Sequence, residues 1–160
     1  MAEFNPSFED IDRLSRRIAE RYRANPPQTI VAICRGGAIP AILVSHYLGI
    51  ADVRYLTLSA YNDRTLKGAG PRVADEDARM LSALTGRVLV VDDMVDNGMS
   101  LGALAEHLPK GAEVAVLYSK AHSPRTHVTY LAEPEALASD CWVNFPWEKR
   151  PLAETLARVS

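Results

Sequence analysis

Residues 87–101 read RVLVVDDMVDNGMSL. Val88 to Val91 is apolar at every position, which a half-exposed strand does not tolerate. The run therefore predicts a strand buried on both faces, the kind that parallel sheets contain. Asp92 and Asp93 are expected to end it. Asp96, Asn97, Gly98, Met99 and Ser100 make a small polar turn, after which Leu101, Leu104, Ala105 and Leu108 fall at helical spacing. This order puts the turn at the carboxyl edge of a sheet, where open α/β folds bind ligands. A helix N-terminus there offers unpaired N–H groups to an anion, Gly98 lets the backbone approach it, and Ser100 adds a hydroxyl. Three carboxylates beside such a site repel a phosphate unless a cation or sugar hydroxyls lie between. Mg²⁺ takes oxygen ligands and bridges substrate phosphates, and vicinal ribose hydroxyls suit the Asp92–Asp93 pair. The ligand implied is a phosphorylated ribose with Mg²⁺; the plain alternative is a Rossmann-like strand end carrying solvated aspartates.

The rest of the chain agrees with an α/β domain. Its 160 residues suit one domain with a sizeable core. A net charge of -2 gives no electrostatic case for nucleic acid, and no apolar run approaches the ~20 residues of a membrane span. The acidic start, MAEFNPSFED, lacks the features of a secretory signal. Cys34 and Cys141 are expected as free buried thiols, and the compartment as cytoplasmic.

Ser7-Phe8-Glu9-Asp10 reads as a capping box with Asp for Glu, opening a helix through Tyr22 that Asn25-Pro26-Pro27 stops. Its arginines alternate with Glu9, Asp12 and Glu20, as on a solvated face. Thr29 to Cys34 predicts a second buried strand. Arg35-Gly36-Gly37 follows it, then a helix from Ala38 to Gly49 on which His46 is expected to pack or cap. Two glycines beside a guanidinium can wrap an anion, though Gly-Gly serves any tight turn. Val53 to Ala60 predicts a third strand, and 61–83 a long polar loop. Ala112 to Lys120 predicts a fourth parallel strand with Lys120 at its carboxyl end, and Val128 to Leu131 a short strand. Pro151 to Val159 predicts a terminal helix. Trp142, Phe145 and Trp147 are costly to expose, which on its own suggests a core plug or an interface.

VLVVDDMVDNGMSL resembles the phosphoribosyl-pyrophosphate (PRPP) motif of the type I phosphoribosyltransferases: an apolar strand, an acidic pair, a third Asp, then Thr-Gly-x-Thr. Asn97 and Ser100 stand where that motif has threonines. Trp142 to Glu148 resembles the W-(V/I)-x-x-P-W-(D/E) tail of the 6-oxopurine branch of that family. The resemblance implies an α/β phosphoribosyltransferase fold over 1–160: a central, mostly parallel sheet flanked by helices, a mobile loop at about 61–83 and a small base-binding hood at about 126–160. By the same resemblance Arg35, Gly36 and Gly37 hold pyrophosphate, with a non-proline cis peptide expected beside Arg35. Asp92 and Asp93 take the ribose hydroxyls, Asp93 directly or through Mg²⁺ as its ligand. Asn97, Gly98, Met99 and Ser100 hold the 5′-phosphate, and Asp96 is the general base at purine N7. Lys120 bonds the purine C6 oxygen, Trp142 stacks on the base, Val143 reads its edge through the backbone, and Tyr61 and Arg64 belong to the closing loop. The implied reaction joins PRPP to N9 of hypoxanthine, guanine or xanthine, in a dimer or tetramer with small-molecule partners and no nucleic acid or membrane. The competing readings are a PRPP-sensing regulator of the same fold, a phosphoribosyltransferase for another base, and a flavodoxin-like regulatory module.

Overall fold

The computed structural model describes residues 2–58 and 70–149. Its elements run β1 (Glu3–Phe4), α1 (Phe8–Tyr22), β2 (Thr29–Cys34), α2 (Ala38–Leu48), β3 (Val53–Thr57), α3 (Asp75–Ser82), β4 (Val88–Val95), α4 (Met99–Ala105), β5 (Glu113–Ser119), β6 (Tyr130–Leu131) and β7 (Trp142–Val143). Strands β3-β2-β4-β5-β6, in that order, make a five-stranded sheet whose every pairing is parallel.

The continuous apolar runs are explained by the side-chain period of two. Ile30 and Ala32, Leu89 and Val91, and Ala115 and Leu117 face one core, with Ile11, Leu14 and Ile18 of α1 and Val44 of α2. Val31 and Ile33, Val88 and Val90, and Val114 and Val116 face the other, with Leu81 of α3 and Leu101 and Leu104 of α4. Both faces are covered over the middle of β2, β4 and β5, so both sets of alternate residues are apolar there.

The expected capping box is present: the Ser7 hydroxyl accepts the Asp10 N–H, and the Asp10 carboxylate accepts the Ser7 N–H. Both cysteines are free, Cys141 buried and Cys34 half-buried. Helix α2 ends on Gly49 at φ 68°, the left-handed cap its sequence position suggests.

Several expectations need correction. Strand β4 does not stop at the aspartates. It runs on to Val95, pairing Asp92 with Val116, Met94 with Tyr118 and Val95 with Ser119. The β5 neighbour continues the pairing there, with Asp93 alone left out of the register, and this outweighs the weak strand preference of Asp. Residues 75–82, expected as part of a loop, form α3. Leu81 is fully buried and Asp75, Glu76 and Asp77 complement the dipole of its first turn. His46 is exposed in the last turn of α2 rather than packed; its carbonyl, not its ring, takes part in the cap by accepting the Gly49 N–H. Strand β3 is assigned to Thr57, and β6 is shorter than expected. The expected loop residues Tyr61 and Arg64 and the helix expected at 151–159 lie outside the described residues. Among the described residues no helix is long and apolar enough to cross a membrane.

Candidate active site

Two strand–glycine turn–helix units, β2-α2 and β4-α4, meet at the carboxyl edge of the sheet. They are adjacent because β2 and β4 pair directly, Ala32 beside Val91. The Cys34–Arg35 peptide is cis. Gly36 lies so close to Asp93 that a Cβ there would meet the carboxylate, with Cγ at 2.5 Å and Oδ1 at 2.7 Å. Gly37 is wedged against backbone: a Cβ would meet the Val91 carbonyl, the Ile33 carbonyl at 2.8 Å and Asp92 Cα at 3.0 Å. The two turns are thus packed together through atoms that a side chain would displace.

Arg35, Gly36 and Asp93 open on a cavity of about 620 Å³. Ile39, Trp147, Glu148 and Lys149 line it as well. Of the residues expected to hold pyrophosphate and ribose, Arg35, Gly36 and Asp93 line this space, whereas Gly37 and Asp92 do not. Sequence reasoning gave Trp147, Glu148 and Lys149 no role there, although the tail motif already contained the first two.

In the turn after β4, Gly98 sits at φ 73°, ψ 0°. The Asn97 Oδ1 accepts the Met99 N–H at 3.0 Å, so the amide expected to face a phosphate is capped by the chain's own side chain. Ser100 is half-buried in the first turn of α4, and Met99 is exposed.

Asp96 lies one residue beyond β4. Its Oδ2 is 3.2 Å from Lys120 Nζ, and its Oδ1 is 2.9 Å from His122 Nε2. Lys120, at 11% side-chain exposure, is no solvated surface lysine. It follows β5 directly and bridges Leu137. His122 was not anticipated; a lone histidine in a polar turn carries no periodic signal.

The C-terminal aromatics divide. Phe145 and Trp147 stack at 4.8 Å between centroids with planes 9° apart, and Tyr118 packs against Phe145. Trp142 is 57% exposed, whereas Val143 is buried. Strand β7 is held by the N-terminal β1: the Trp142 N–H donates to Ala2 O and the Asn144 N–H to Phe4 O. These bonds use one edge of β7 and leave the Val143 backbone on the other. Trp142, Val143 and Lys120 do not line the cavity beside Arg35.

The adjacent aspartates are strained electrostatically. Burial, and next the Asp93 charge, hold Asp92 well above the usual carboxylate range. Burial pushes Asp93 up to about 6, and the Glu148 carboxylate across the cavity adds to it. A carboxylate raised from 3.8 to about 6 binds more protons folded than unfolded between those values, so the ligand-free protein loses stability as pH rises through that window. Asp93→Asn is expected to raise Tm by several degrees more at pH 8 than at pH 4.5, since the cost grows across the window and each kcal/mol moves Tm by roughly 2–4 °C in a chain of this size. Thermal melts at the two pH values check this; an equal change at both would refute it.

The fold and this arrangement have clear relatives. The phosphoribosyl transferase domain family matches residues 3–147. The chain is 32% identical over 152 residues to the xanthine-guanine phosphoribosyltransferase of Idiomarina loihiensis, covering 91% of this chain and 87% of that one. A crystal structure of a purine phosphoribosyltransferase from Pyrococcus horikoshii Ot3 superposes with a TM-score of 0.72 at 25% identity, covering 94% and 97% of the two chains. The Helicobacter pylori xanthine-guanine-hypoxanthine phosphoribosyltransferase shares the fold, with a TM-score of 0.70 at 19% identity over 98% and 99%. A parallel sheet with an acidic strand end and a glycine turn occurs in many α/β proteins; a match spanning nearly all of it narrows the choice, and this chain belongs to the phosphoribosyl transferase domain family, with the architecture of its type I enzymes.

Proposed function

We propose that this protein transfers the phosphoribosyl group of PRPP to N9 of a 6-oxopurine (hypoxanthine, guanine or xanthine) and releases pyrophosphate. The observation that carries the reading is the packing of Gly36 on Asp93 beside a shared cavity, which brings a guanidinium-glycine turn and an acidic strand end to one space. The relatives' names support the base class. An exposed Trp142 on a strand braced by β1 supports a stacking platform, and the nearly buried Lys120 beside Asp96 supports a hydrogen-bonding edge for the base.

In this reading Arg35 and the Gly36–Gly37 turn bind the pyrophosphate and oppose the charge it gains as the C1′–O bond breaks. Asp92 and Asp93 orient the ribose through its hydroxyls. The 5′-phosphate docks on the Asn97–Ser100 turn, where Asn97 must release the Met99 N–H to it. Asp96 takes the proton from N7 as N9 attacks, which raises the nucleophilicity of the base. Trp142 and the Val143 backbone hold the base in plane, and Lys120 donates to its C6 oxygen.

The residues fit Mg²⁺. Among the described residues no group of three His, Cys, Asp or Glu side chains forms a metal site by itself. Mg²⁺ commonly needs no more than one or two carboxylates, with waters and substrate phosphates completing its shell. Asp93 meets that requirement: its carboxylate opens on the cavity and is raised by burial, so a cation beside it relieves an existing cost. When bound, Mg²⁺ supplies charge neutralisation for the pyrophosphate.

The test is an assay with PRPP, Mg²⁺ and, in turn, hypoxanthine, guanine, xanthine, adenine and uracil, measuring pyrophosphate release. Turnover with at least one 6-oxopurine, and not with adenine or uracil, is expected. Turnover confined to another base would correct the substrate. PRPP binding without turnover on any base would favour a PRPP-sensing regulator.

A further inference from the structure

The turn that carries His122 is attached to the end of β4 on both sides of Asp96. Before it, the Ser123 hydroxyl donates to Val95 O at 2.7 Å and accepts the Lys120 N–H at 3.1 Å. After it, Pro124 lies over Gly98, where a Cβ would meet its Cγ at 2.6 Å. Arg125 adds a bond from its guanidinium to the Ser119 hydroxyl at 3.0 Å. His122 is therefore presented to Asp96 by a braced segment, although the ring itself is about half exposed.

The two partners of Asp96 are not equivalent. Lys120 holds Oδ2 through a flexible stem and a rotatable ammonium. In the reading above that ammonium turns to the purine oxygen once a base is bound. Asp96 would then lose the partner that orients it when its orientation matters, because carboxylate rotation about its last torsion is broad and weakly restrained. The His122 Nε2, 2.9 Å from Oδ1, is a contact that the base does not compete for in that reading.

We propose that His122 is a positioning residue for Asp96: its Nε2–H holds Oδ1, so that Oδ2 stays directed at the base while Lys120 changes partner. This rests on the reading of Asp96 as the group that accepts the purine proton. The histidine touches no reacting atom, and its effect passes through Asp96.

The experiment is a mutant cycle on the full chain, with kcat, the KM of each substrate and Tm measured for every variant. His122→Ala is expected to lower kcat about tenfold while the KM for PRPP changes less than about twofold. His122→Gln, whose amide nitrogen can donate from a similar position, is expected to restore kcat to within about threefold of the parent. In an Asp96→Asn background, His122→Ala is expected to cost less than about twofold further, because the route it acts through is gone. Equal losses in the Ala and Gln variants would assign the effect to packing of the turn and overturn the proposal. So would a full tenfold loss retained in the Asp96→Asn background, or no loss in His122→Ala. If Asp96→Asn alone leaves kcat unchanged, the reading of Asp96 fails and takes this proposal with it. If Asp96→Asn is severe and His122→Ala is silent, the proposal fails by itself.

Discussion

Asp96→Asn is expected to lower kcat by about 10²- to 10³-fold while the KM for PRPP stays within about threefold, the signature of a lost proton acceptor rather than a lost binding contact. The substitution keeps the side-chain shape and one acceptor oxygen, so His122 retains its partner at Oδ1. What is lost is the capacity to take a proton, together with the charge that faces Lys120 at 3.2 Å. Lys120 is nearly buried, so leaving it without a counter-charge costs more than it would at the surface, and a modest fall in Tm is expected alongside the kinetic effect. Steady-state kinetics with each substrate varied in turn separate the outcomes. A KM for PRPP that rises in step with the fall in kcat would make Asp96 a binding residue and remove its assignment as base.

Alanine at Gly36 and at Gly37 should disable the protein in two different ways, although the residues are neighbours. At Gly36 the new methyl meets the Asp93 side chain, which can swing aside. The fold survives, and the carboxylate is driven from the place it shares with Arg35 in the cavity. The expected result is a loss of at least about 30-fold in kcat/KM for PRPP, with Tm within a few degrees of the parent. At Gly37 the methyl meets the carbonyls of Val91 and Ile33 and the Cα of Asp92, all of them backbone in or beside the paired ends of β2 and β4. No side chain can yield there. Overpacking of this kind costs roughly 1–3 kcal/mol and sometimes more, against a total stability of about 5–15 kcal/mol. Gly37→Ala should therefore lower Tm by about 5 °C or more, with activity falling with the folded fraction. If Gly36→Ala proves the less stable of the two, or keeps normal PRPP kinetics, the packing of the two turns has been misread.

Much of the framework was legible because it is written in local pattern. Ile30–Ile33, Leu89–Val91 and Val114–Leu117 are apolar at consecutive positions, which a sheet covered on both faces requires. Ser7 with Asp10, and Gly49 after Leu48, mark helix ends through bonds that span three or four residues, so sequence neighbours suffice to predict them. The site's first half was legible too. Arg35–Gly37 follows β2, and Asp92–Ser100 spans the end of β4 and the turn after it; strand ends at the carboxyl edge are where a parallel sheet gathers its chemistry.

What stayed hidden depends on partners distant in the chain. Strand β4 continues through Asp92 and Asp93 because β5 lies beside it; the acidic pair read locally is a stop signal. Helix α3 buries Leu81 against a core formed by strands before and after it, so few of its own residues announce it. Trp142 and Trp147 sit five positions apart in one motif, yet one is exposed and the other stacks on Phe145, because β1 pairs with β7 and fixes which side chains turn inward. His122 reaches Asp96 across 26 positions through a turn stitched to β4. Sequence alone determined the class of sheet, the Ser7 and Gly49 helix caps and the two strand-end turns, since these follow from periodicity and backbone conformation within a few residues. Tertiary structure alone decided which carboxylate is buried, which aromatic is left exposed and which basic side chains surround Asp96, since burial and charge pairing arise when distant segments close on one another and exclude water.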